Sequence, residues 1–410
     1  MTMKSATTRK RDEVDPEKLH EDLRLAVALG SSRAVLRIVE TYQPAGGAGS
    51  KVFPPTYPKP ERQRNSQSSP ADPWGDAPYV TEPRIVDRQK RWSVQLDSTP
   101  SQANRAEEAL LRAHRAGRVR LPLLQIEHLG AAPVVLTSLE FPHRYADAYL
   151  RDSLLDGTKF DQSELGKALL ASTNADASAL YAQDPGSLVY GAWNSHRKGR
   201  QQKFPRVYSS EVVGWDPQLG ARNAGRMDPL NLTGARKGDG DSWEFATVAK
   251  KAKDERLSEI GHGNIAPNAS DNGGVTITSA QRFATLSLAG LDRIGFGSVP
   301  FDAAVAARTV LAAYALLADR LAFGGPALLL RSGCELVVES ERLEWVHRGG
   351  RTEEFDLMTS EAIELFELAA ANADKQGLAL STQPVLLTPS KALADAIDYT
   401  LTKAAPGEGG

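Results

Sequence analysis

The longest apolar stretch of this chain runs from Phe301 to Ala322. It is long enough to cross a membrane, but it contains Asp302, Arg308, Asp319 and Arg320. Charged side chains are costly in the hydrocarbon core of a bilayer. The stretch therefore predicts a buried helix of a soluble protein rather than a membrane span. We expect no membrane partner.

Helical and β-type patterns alternate along the rest of the chain. Apolar residues at helical spacing predict helices over 16–29 and 99–117, from Pro142 and from near Ser360. Runs rich in β-branched and aromatic residues predict strands over 34–45, 119–129, 187–193, 206–215, 274–288 and 327–346. Several strands are joined by short links, which favours an α+β fold with an antiparallel sheet.

We expect one main domain over residues 31–404. A tail with a short helix (1–30) precedes it and a short tail (405–410) follows. Three insertions interrupt the domain: a Pro- and Gly-rich excursion (44–95), a basic loop (193–206) and a longer segment (216–274).

The composition excludes several kinds of site. One cysteine, Cys334, cannot form an intrachain disulfide or a cysteine-cluster metal site, and it is expected in the core. The seven histidines are scattered, whereas zinc ligands usually come in closely spaced pairs. We therefore expect no metal and no cofactor. The charged start, MTMKSATTRKRDEVD, shows no secretory-signal pattern, and a cytoplasmic location is expected.

Charge is distributed unevenly although the net charge is only −2. Residues 196–237 hold nine Lys and Arg against three acids, whereas residues 335–375 hold eleven acids against four basic residues. Such asymmetry is typical of a protein with one side facing a polyanion and another facing solvent or a partner. Solvated charged faces would produce the same counts, so charge alone leaves both interpretations open.

Two short sequence patterns resemble functional motifs but match them incompletely. QPAGGAGSK follows a predicted strand, yet Ser50 separates Gly49 from Lys51 and VFPPTYP cannot begin a helix, so it is not a Walker phosphate loop. A backbone nest for one phosphate and a plain glycine turn both remain open.

His143 and Asp147 are spaced i, i+4 and could form an acid/base pair, although a salt-bridged helix face is the favoured interpretation.

The strongest signal from the residues themselves is the segment from Trp193 to Tyr208. It contains no acid, and Phe204 lies among its five basic residues: Arg197, Lys198, Arg200, Lys203 and Arg206. Basic side chains neutralise phosphates, and aromatic rings stack on unpaired bases. This pattern predicts binding of single-stranded RNA, although Trp193 and Tyr208 could instead be core residues.

Several segments resemble the type I-G (formerly I-U) CRISPR backbone protein, a family of the repeat-associated (RAMP) superfamily. They are VLRIVETYQPAGGAGSKVFPPTY (35–57), LDSTPSQANRAEEAL (96–110), TSLEFPHRYADAYLRDS (137–153), SLVYGAWNS (187–195) and KFPRVYSSEVVG (203–214), with a weaker likeness in AQRFATLSLAGLDRIGFG (280–297).

The resemblance implies an RRM-like, ferredoxin-like palm carrying inserted loops, hairpins and helices. It further implies a subunit without catalytic activity, of which several copies form a helical filament along one CRISPR RNA (crRNA). The guide then pairs with one strand of target DNA. Implied partners are the crRNA, the target strand, further copies, the large subunit and the crRNA-end-binding subunit of a Cascade-like complex. A nuclease-helicase would be recruited indirectly.

The candidate RNA-binding residues combine these matching segments with the basic region. They are Arg37, Gly46, Gly47, Lys51, Asn104, Arg105, His143, Arg144, Arg151, Arg197, Lys198, Arg200, Lys203, Arg206, Arg222 and Arg226.

Two other functions remain open at this stage. One is an RNA-cutting enzyme of the same superfamily that would use His143 and Asp147. The other is a nucleotide-binding protein that would use the turn at Gly46–Gly49.

Overall fold

The computed structural model describes residues 15–57, 78–130, 133–194, 202–226, 229–230, 235–237, 243–245, 265–270 and 273–404. The α-helices are α1 (Pro16–Val27), α2 (Thr99–Arg115), α3 (Ala148–Arg151), α4 (Glu164–Ala171), α5 (Ser178–Gln183), α6 (Pro185–Val189), α7 (Leu288–Asp292), α8 (Phe301–Phe323), α9 (Thr359–Lys375) and α10 (Lys391–Ala404).

The strands fall into one large sheet, one smaller sheet and several short ribbons. They are β1 (Arg33–Pro44), β2 (Thr81–Val86), β3 (Gln89–Asp97), β4 (Leu124–His128), β5 (Val134–Thr137), β6 (Ser153–Leu155), β7 (Thr158–Lys159), β8 (Ala192–Asn194), β9 (Gln202–Phe204), β10 (Tyr208–Trp215), β11 (Gln218–Leu219), β12 (Arg222–Arg226), β13 (Ala235–Lys237), β14 (Trp243–Phe245), β15 (Ile265–Ser270), β16 (Val275–Thr276), β17 (Ser279–Ser287), β18 (Ala327–Arg331), β19 (Cys334–His347), β20 (Thr352–Phe355) and β21 (Val385–Pro389).

The large sheet is antiparallel and has the order β18-β19-β1-β17-β10-β3-β2, with β20 also paired to β19. Its centre is built from β1, α2, β10, β17, α8 and β19 in chain order. That is the β-α-β-β-α-β succession of split β-α-β folds. The fold is therefore α+β with an antiparallel sheet, as predicted.

Helix α8 forms the centre of the helical layer, where it contacts α1, α2, α6 and α9. It is the one helix in the described ranges that is long and apolar enough to cross a membrane, and most of it is buried within the fold. The predicted buried helix is thus confirmed. Alternate residues of β1, including Leu36 and Ile38, are buried on the sheet face toward the core, while Val35 and Val39 on the other face are half-buried.

Charged side chains lie inside this core between the sheet and α8. Arg282 of β17 bonds Glu40 of β1 at 2.8 Å and also pairs with Asp319 of α8. Arg320 bridges Asp319 and Glu40, and Tyr208 donates to Asp319. Because every one of these charges has an oppositely charged partner, the network avoids the large cost of an unpaired buried ion.

A smaller sheet with the order β5-β4-β21-β6-β7 joins the C-terminal part of the chain to the segment after α2. Within it, β4 and β21 are parallel and the other pairs are antiparallel.

Three short antiparallel strand pairs lie in the chain between β10 and β17: β11 with β16, β12 with β15 and β13 with β14. All of these strands except β16 fall within the predicted 216–274 insertion.

Most predicted elements are confirmed, including α1, β1, α2, β10, β17, the β18–β19 pair and α9. Cys334 is fully buried, as expected. The second half of the 44–95 excursion differs, because β2 and β3 extend the main sheet there.

The prediction of a strand over 187–193 is wrong for its first half. Pro185 begins α6, and the Asp184 side chain accepts the Ser187 N–H as a helix cap, so 185–189 is helical and the strand starts only at Ala192.

Candidate nucleic-acid interface

The basic segment forms a short hairpin with an exposed aromatic ring. β8 and β9 pair so that Trp193 lies directly opposite Lys203. The Trp193 residue is 55% exposed, and the Lys203 Nζ atom lies 5.8 Å from its ring centroid. A cation at this distance is attracted to the ring face. The hairpin therefore presents a flat aromatic surface beside a positive charge.

The two aromatic residues that bound the segment have different roles. Tyr208 is buried and belongs to the charged network in the core, so the core interpretation is correct for Tyr208 and wrong for Trp193. The basic residues Arg197, Lys198 and Arg200 lie outside the described residues.

Gly191 sets the backbone conformation at the start of the hairpin. Its φ angle is +82°, and a Cβ atom there would lie 3.0 Å from the Phe204 carbonyl oxygen and the Arg206 nitrogen. Only glycine adopts this conformation in so little space without strain.

A cleft of about 240 Å³ opens beside the hairpin. Trp193 and Asn194 of β8 line it together with His143, Asp147 and Arg151 from the segment before β6. The remaining lining residues are Tyr145, Ala146, Ala148, Asp161 and Leu170. The structure thus brings His143 and Arg151, two candidates from the matching segments, to the aromatic ring of the basic segment.

The predicted helix from Pro142 is broken into two short pieces. Arg144 has a left-handed φ of +52°, and Asp147 begins a new turn as the N-cap of α3. The two Asp147 carboxylate oxygens accept the backbone N–H groups of His143 and Tyr149, each at 2.9 Å. Asp147 is therefore a structural cap, and the 3.4 Å approach of the His143 Nδ1 atom does not make an acid/base pair. His143 itself is exposed at the cleft.

Arg144, whose side chain is 12% exposed, braces the fold, which disfavours its predicted role as an RNA contact. Its guanidinium forms a bidentate pair with the Glu107 carboxylate of α2, at 2.6 and 2.8 Å, and donates a hydrogen bond to the Gly191 carbonyl at 3.0 Å. It also lies over the Tyr190 ring, 5.4 Å from the centroid. Arg144 thus ties α2 to the root of the hairpin.

This environment shifts the pKa of the Glu107 carboxyl. Burial raises the pKa of Glu107 to about 7, although Arg144 acts in the opposite direction. Burial also raises the pKa of the neighbouring Asp184 carboxyl. Two buried acids around one guanidinium therefore retain protons more readily than they would in water.

Arg206 remains at the surface next to this brace. Its Nε donates to the Tyr190 carbonyl at 3.3 Å, and partial burial together with Arg144 lowers its pKa. Arg151 is likewise exposed and pairs with its neighbour Asp152 at 2.7 Å.

The glycine turn does not form a phosphate loop. Gly47 has φ +82° and donates its N–H to the Pro44 carbonyl, while Ser50 donates its N–H to Gly47. The turn leads to Val52, which pairs with Val275 rather than beginning a helix. The Lys51 Nζ atom donates a hydrogen bond to the Ala221 carbonyl at 2.8 Å, so the Lys51 side chain contacts the residue that precedes β12.

Other candidates are held elsewhere in the fold. Arg37 lies on the half-buried face of the large sheet and pairs with Glu344 at 2.5 Å. Arg105 bonds Asp97 at 2.8 Å and the Leu330 carbonyl at 2.6 Å, so it braces the fold in this structure, and its role as an RNA contact stays a prediction.

Asn104 is exposed on α2, next to Arg105 in the chain. Arg222 and Arg226 lie in β12 opposite Ser270 and Ile265. Gly46 lies in the exposed part of the turn after β1.

Sequence reasoning missed the buried charge network and three cleft residues. Glu40 shares a strand face with Leu36 and Ile38, and this placement of a charge among apolar residues was a usable signal. No such pattern marks Asn194, Asp161 or Leu170, which the chain brings together only in three dimensions. Among the described residues, no group of His, Cys, Asp and Glu could hold a metal ion.

Residues 36–218 match the family model described as CRISPR-associated protein GSU0053 (Cas_GSU0053). The chain is similar to CRISPR-associated proteins. The matched span is somewhat less than half of the chain and contains β1, α2, the cleft, the β8–β9 hairpin and β10. It supports a CRISPR-related role and participation in a CRISPR complex. No curated protein matches the chain.

Proposed function

We propose that this chain is a crRNA-binding backbone subunit, without catalytic activity, of a type I-G CRISPR surveillance complex. Copies of it would bind side by side along the guide, which pairs with one strand of target DNA. Its further partners would be the large subunit and the subunit that binds the crRNA end. A nuclease-helicase recruited by the complex would cut the DNA.

One observation carries this proposal: an exposed Trp193 ring with Lys203 above it lies inside the span that matches a CRISPR-associated family. Aromatic surfaces paired with cations bind unpaired nucleotides without reading their sequence. A subunit that accepts every guide needs this property, because guide sequences differ.

The fold is compatible with the proposal. The β-α-β-β-α-β core agrees with an RRM-like palm. The strand pairs between β10 and β17 agree with the insertions that the resemblance implies for such a palm.

Two features weigh against the alternative functions. Both carboxylate oxygens of Asp147 accept hydrogen bonds from backbone N–H groups, which disfavours RNA cleavage by His143 and Asp147. The turn at Gly46–Gly49 is not followed by a helix, which disfavours nucleotide binding of the Walker type.

Binding should depend on phosphates and not on sequence. Neutralising several phosphates releases counterions, so affinity for RNA should fall steeply as salt rises. Fluorescence anisotropy with two unrelated single-stranded RNAs across a salt series measures both properties. A flat salt response, or a large difference between the two RNAs, would contradict the proposal.

Lys203→Ala combined with Arg206→Ala should weaken RNA binding without unfolding the chain. Both side chains are at the surface, where substitutions usually change stability by less than about 0.5 kcal/mol. The control is Arg112→Ala with Lys391→Ala, which removes two exposed cations of α2 and α10, outside the hairpin. Equal RNA affinity of the two double variants would show that the hairpin is not the binding surface.

A further inference from the structure

The described lining of the cleft beside the hairpin is unfavourable for a phosphate. Among the described residues, two carboxylates line the cleft, those of Asp147 and Asp161, and Arg151 is the one Lys or Arg. That guanidinium is already paired with Asp152. A phosphate placed here would face two negative groups near a cation that is partly neutralised, so its entry is electrostatically unfavourable.

The walls of the cleft suit a flat, uncharged ligand. The exposed Trp193 indole lines it together with the apolar side chains of Leu170, Ala146 and Ala148. Its volume of about 240 Å³ is below that of typical sites for drug-sized ligands. Polar groups of Asn194 and His143 lie in the same lining and can bond the edge of a planar ring.

Positive charge lies at the hairpin that borders the cleft. The Lys203 Nζ atom is 5.8 Å from the Trp193 ring centroid, and Lys203 does not line the cleft. A ring stacked on Trp193 within the cleft would thus leave its attached phosphate near this cation.

We infer that the cleft binds one unpaired nucleobase, stacked on Trp193, while the adjoining phosphates remain outside it near Lys203. This inference rests on the proposed function and specifies which part of the RNA enters the site. It makes Trp193 a base contact and Lys203 a phosphate contact.

The first test compares a single-stranded RNA with a strand of equal length whose residues lack bases. Loss of one stacked base should weaken binding to the wild-type protein by roughly 5- to 100-fold. Trp193→Ala should bind both strands about equally, and its salt dependence should match that of the wild type because the phosphate contacts remain. Tyr399→Ala removes an exposed aromatic ring from α10, outside the cleft lining, and should discriminate as the wild type does.

A second measurement does not require RNA loading. The protein is labelled with 5-fluorotryptophan, and the Trp193 signal is assigned by its loss in Trp193→Phe. Adenosine at millimolar concentration should shift this ¹⁹F signal, whereas ribose, which has neither base nor phosphate, should leave it unchanged.

The two measurements separate the inference from the proposed function. A shift with adenosine but no salt-dependent RNA binding would support the base site and contradict the backbone role. Salt-dependent RNA binding with no adenosine shift and no preference for base-bearing strands would overturn the base site and leave the backbone role standing. An equal shift with ribose would also overturn the inference, because the base would then not be the group that binds.

Discussion

Arg144 joins three parts of the molecule at a single, largely buried side chain. It holds Glu107 of α2, the carbonyl of Gly191 and the ring of Tyr190. Arg144→Ala should destabilise the fold by about 1–3 kcal/mol, because the buried Glu107 carboxyl, which can take up a proton, loses its hydrogen-bond partner. Urea denaturation followed by circular dichroism measures this change.

Lys203→Ala is the matched control, since Lys203 is an exposed cation on the hairpin that Arg144 supports. Its stability should change by less than about 0.5 kcal/mol. If Arg144→Ala were as stable as Lys203→Ala, Arg144 would not be a brace.

Glu107 should make stability depend on pH. Its pKa is raised from an ordinary 4.5 to about 7, so the folded chain keeps a proton that the unfolded chain has lost over this range. Its contribution is therefore fully present below pH 4.5 and is lost as pH rises toward and through 7, by up to about 1.4 kcal/mol per pH unit.

The measurement is the free energy of unfolding at pH 5 and pH 7.5 for the wild type and Glu107→Gln. Shifted carboxyls that do not interact with Glu107 contribute equally to both proteins. Because Asp184 acts on the pKa of Glu107, the difference between the two proteins reports on Glu107 together with its interaction with Asp184. The wild type should lose more stability than the variant between these pH values. Identical pH dependences would mean that Glu107 is ionised throughout.

At single residues, the sequence reveals chemical type but not burial partners. Lys203 and Arg144 both looked like RNA contacts, yet Lys203 is exposed while Arg144 is buried against Glu107. The difference depends on Glu107 and Gly191, which lie 37 and 47 positions from Arg144 in the chain. No local pattern around Arg144 contains that information.

Among the elements, β1, β17 and α8 depend on one another through the buried charges. Arg282→Met and Asp319→Asn should each destabilise the protein by about 3–5 kcal/mol, because each leaves an opposite charge poorly compensated. The double variant should lose less than the sum of the two losses, since the remaining groups include the Arg320–Glu40 pair.

Urea denaturation of the four proteins gives this coupling energy. The exposed pair Arg112 and Glu108 serves as a control cycle, for which coupling below about 0.5 kcal/mol is expected. Strict additivity of the Arg282 and Asp319 losses would contradict a direct interaction between them.

Long elements were predictable because their patterns extend over many residues. The α8 helix is apolar on nearly all its faces over many residues, and buried residues alternate with less buried ones along β1 and β17. Short elements were not predictable, because α6 and the broken helix at Arg144 each depend on one helix-capping residue. These residues are Asp184 and Asp147. The cleft could not be predicted because its lining comes from separate short elements.

On the scale of the whole molecule, the acidic region lies largely at the surface. Glu353, Glu354 and Asp356 are exposed around β20, and Glu364 and Glu367 are exposed on α9. Like charges repel RNA, so we expect this surface to face solvent or a basic neighbour while the hairpin faces the guide. A head-to-tail contact between copies that does not close would then propagate along the RNA.

Native mass spectrometry of the protein with guides of two spacer lengths tests the backbone role most directly. Each copy covers a fixed stretch of nucleotides, so the number of bound copies should rise in proportion to spacer length. Without RNA the protein should be mostly monomeric or heterogeneous. The same copy number on both guides, such as a closed dimer, would contradict the account and indicate an ordinary RNA-binding module.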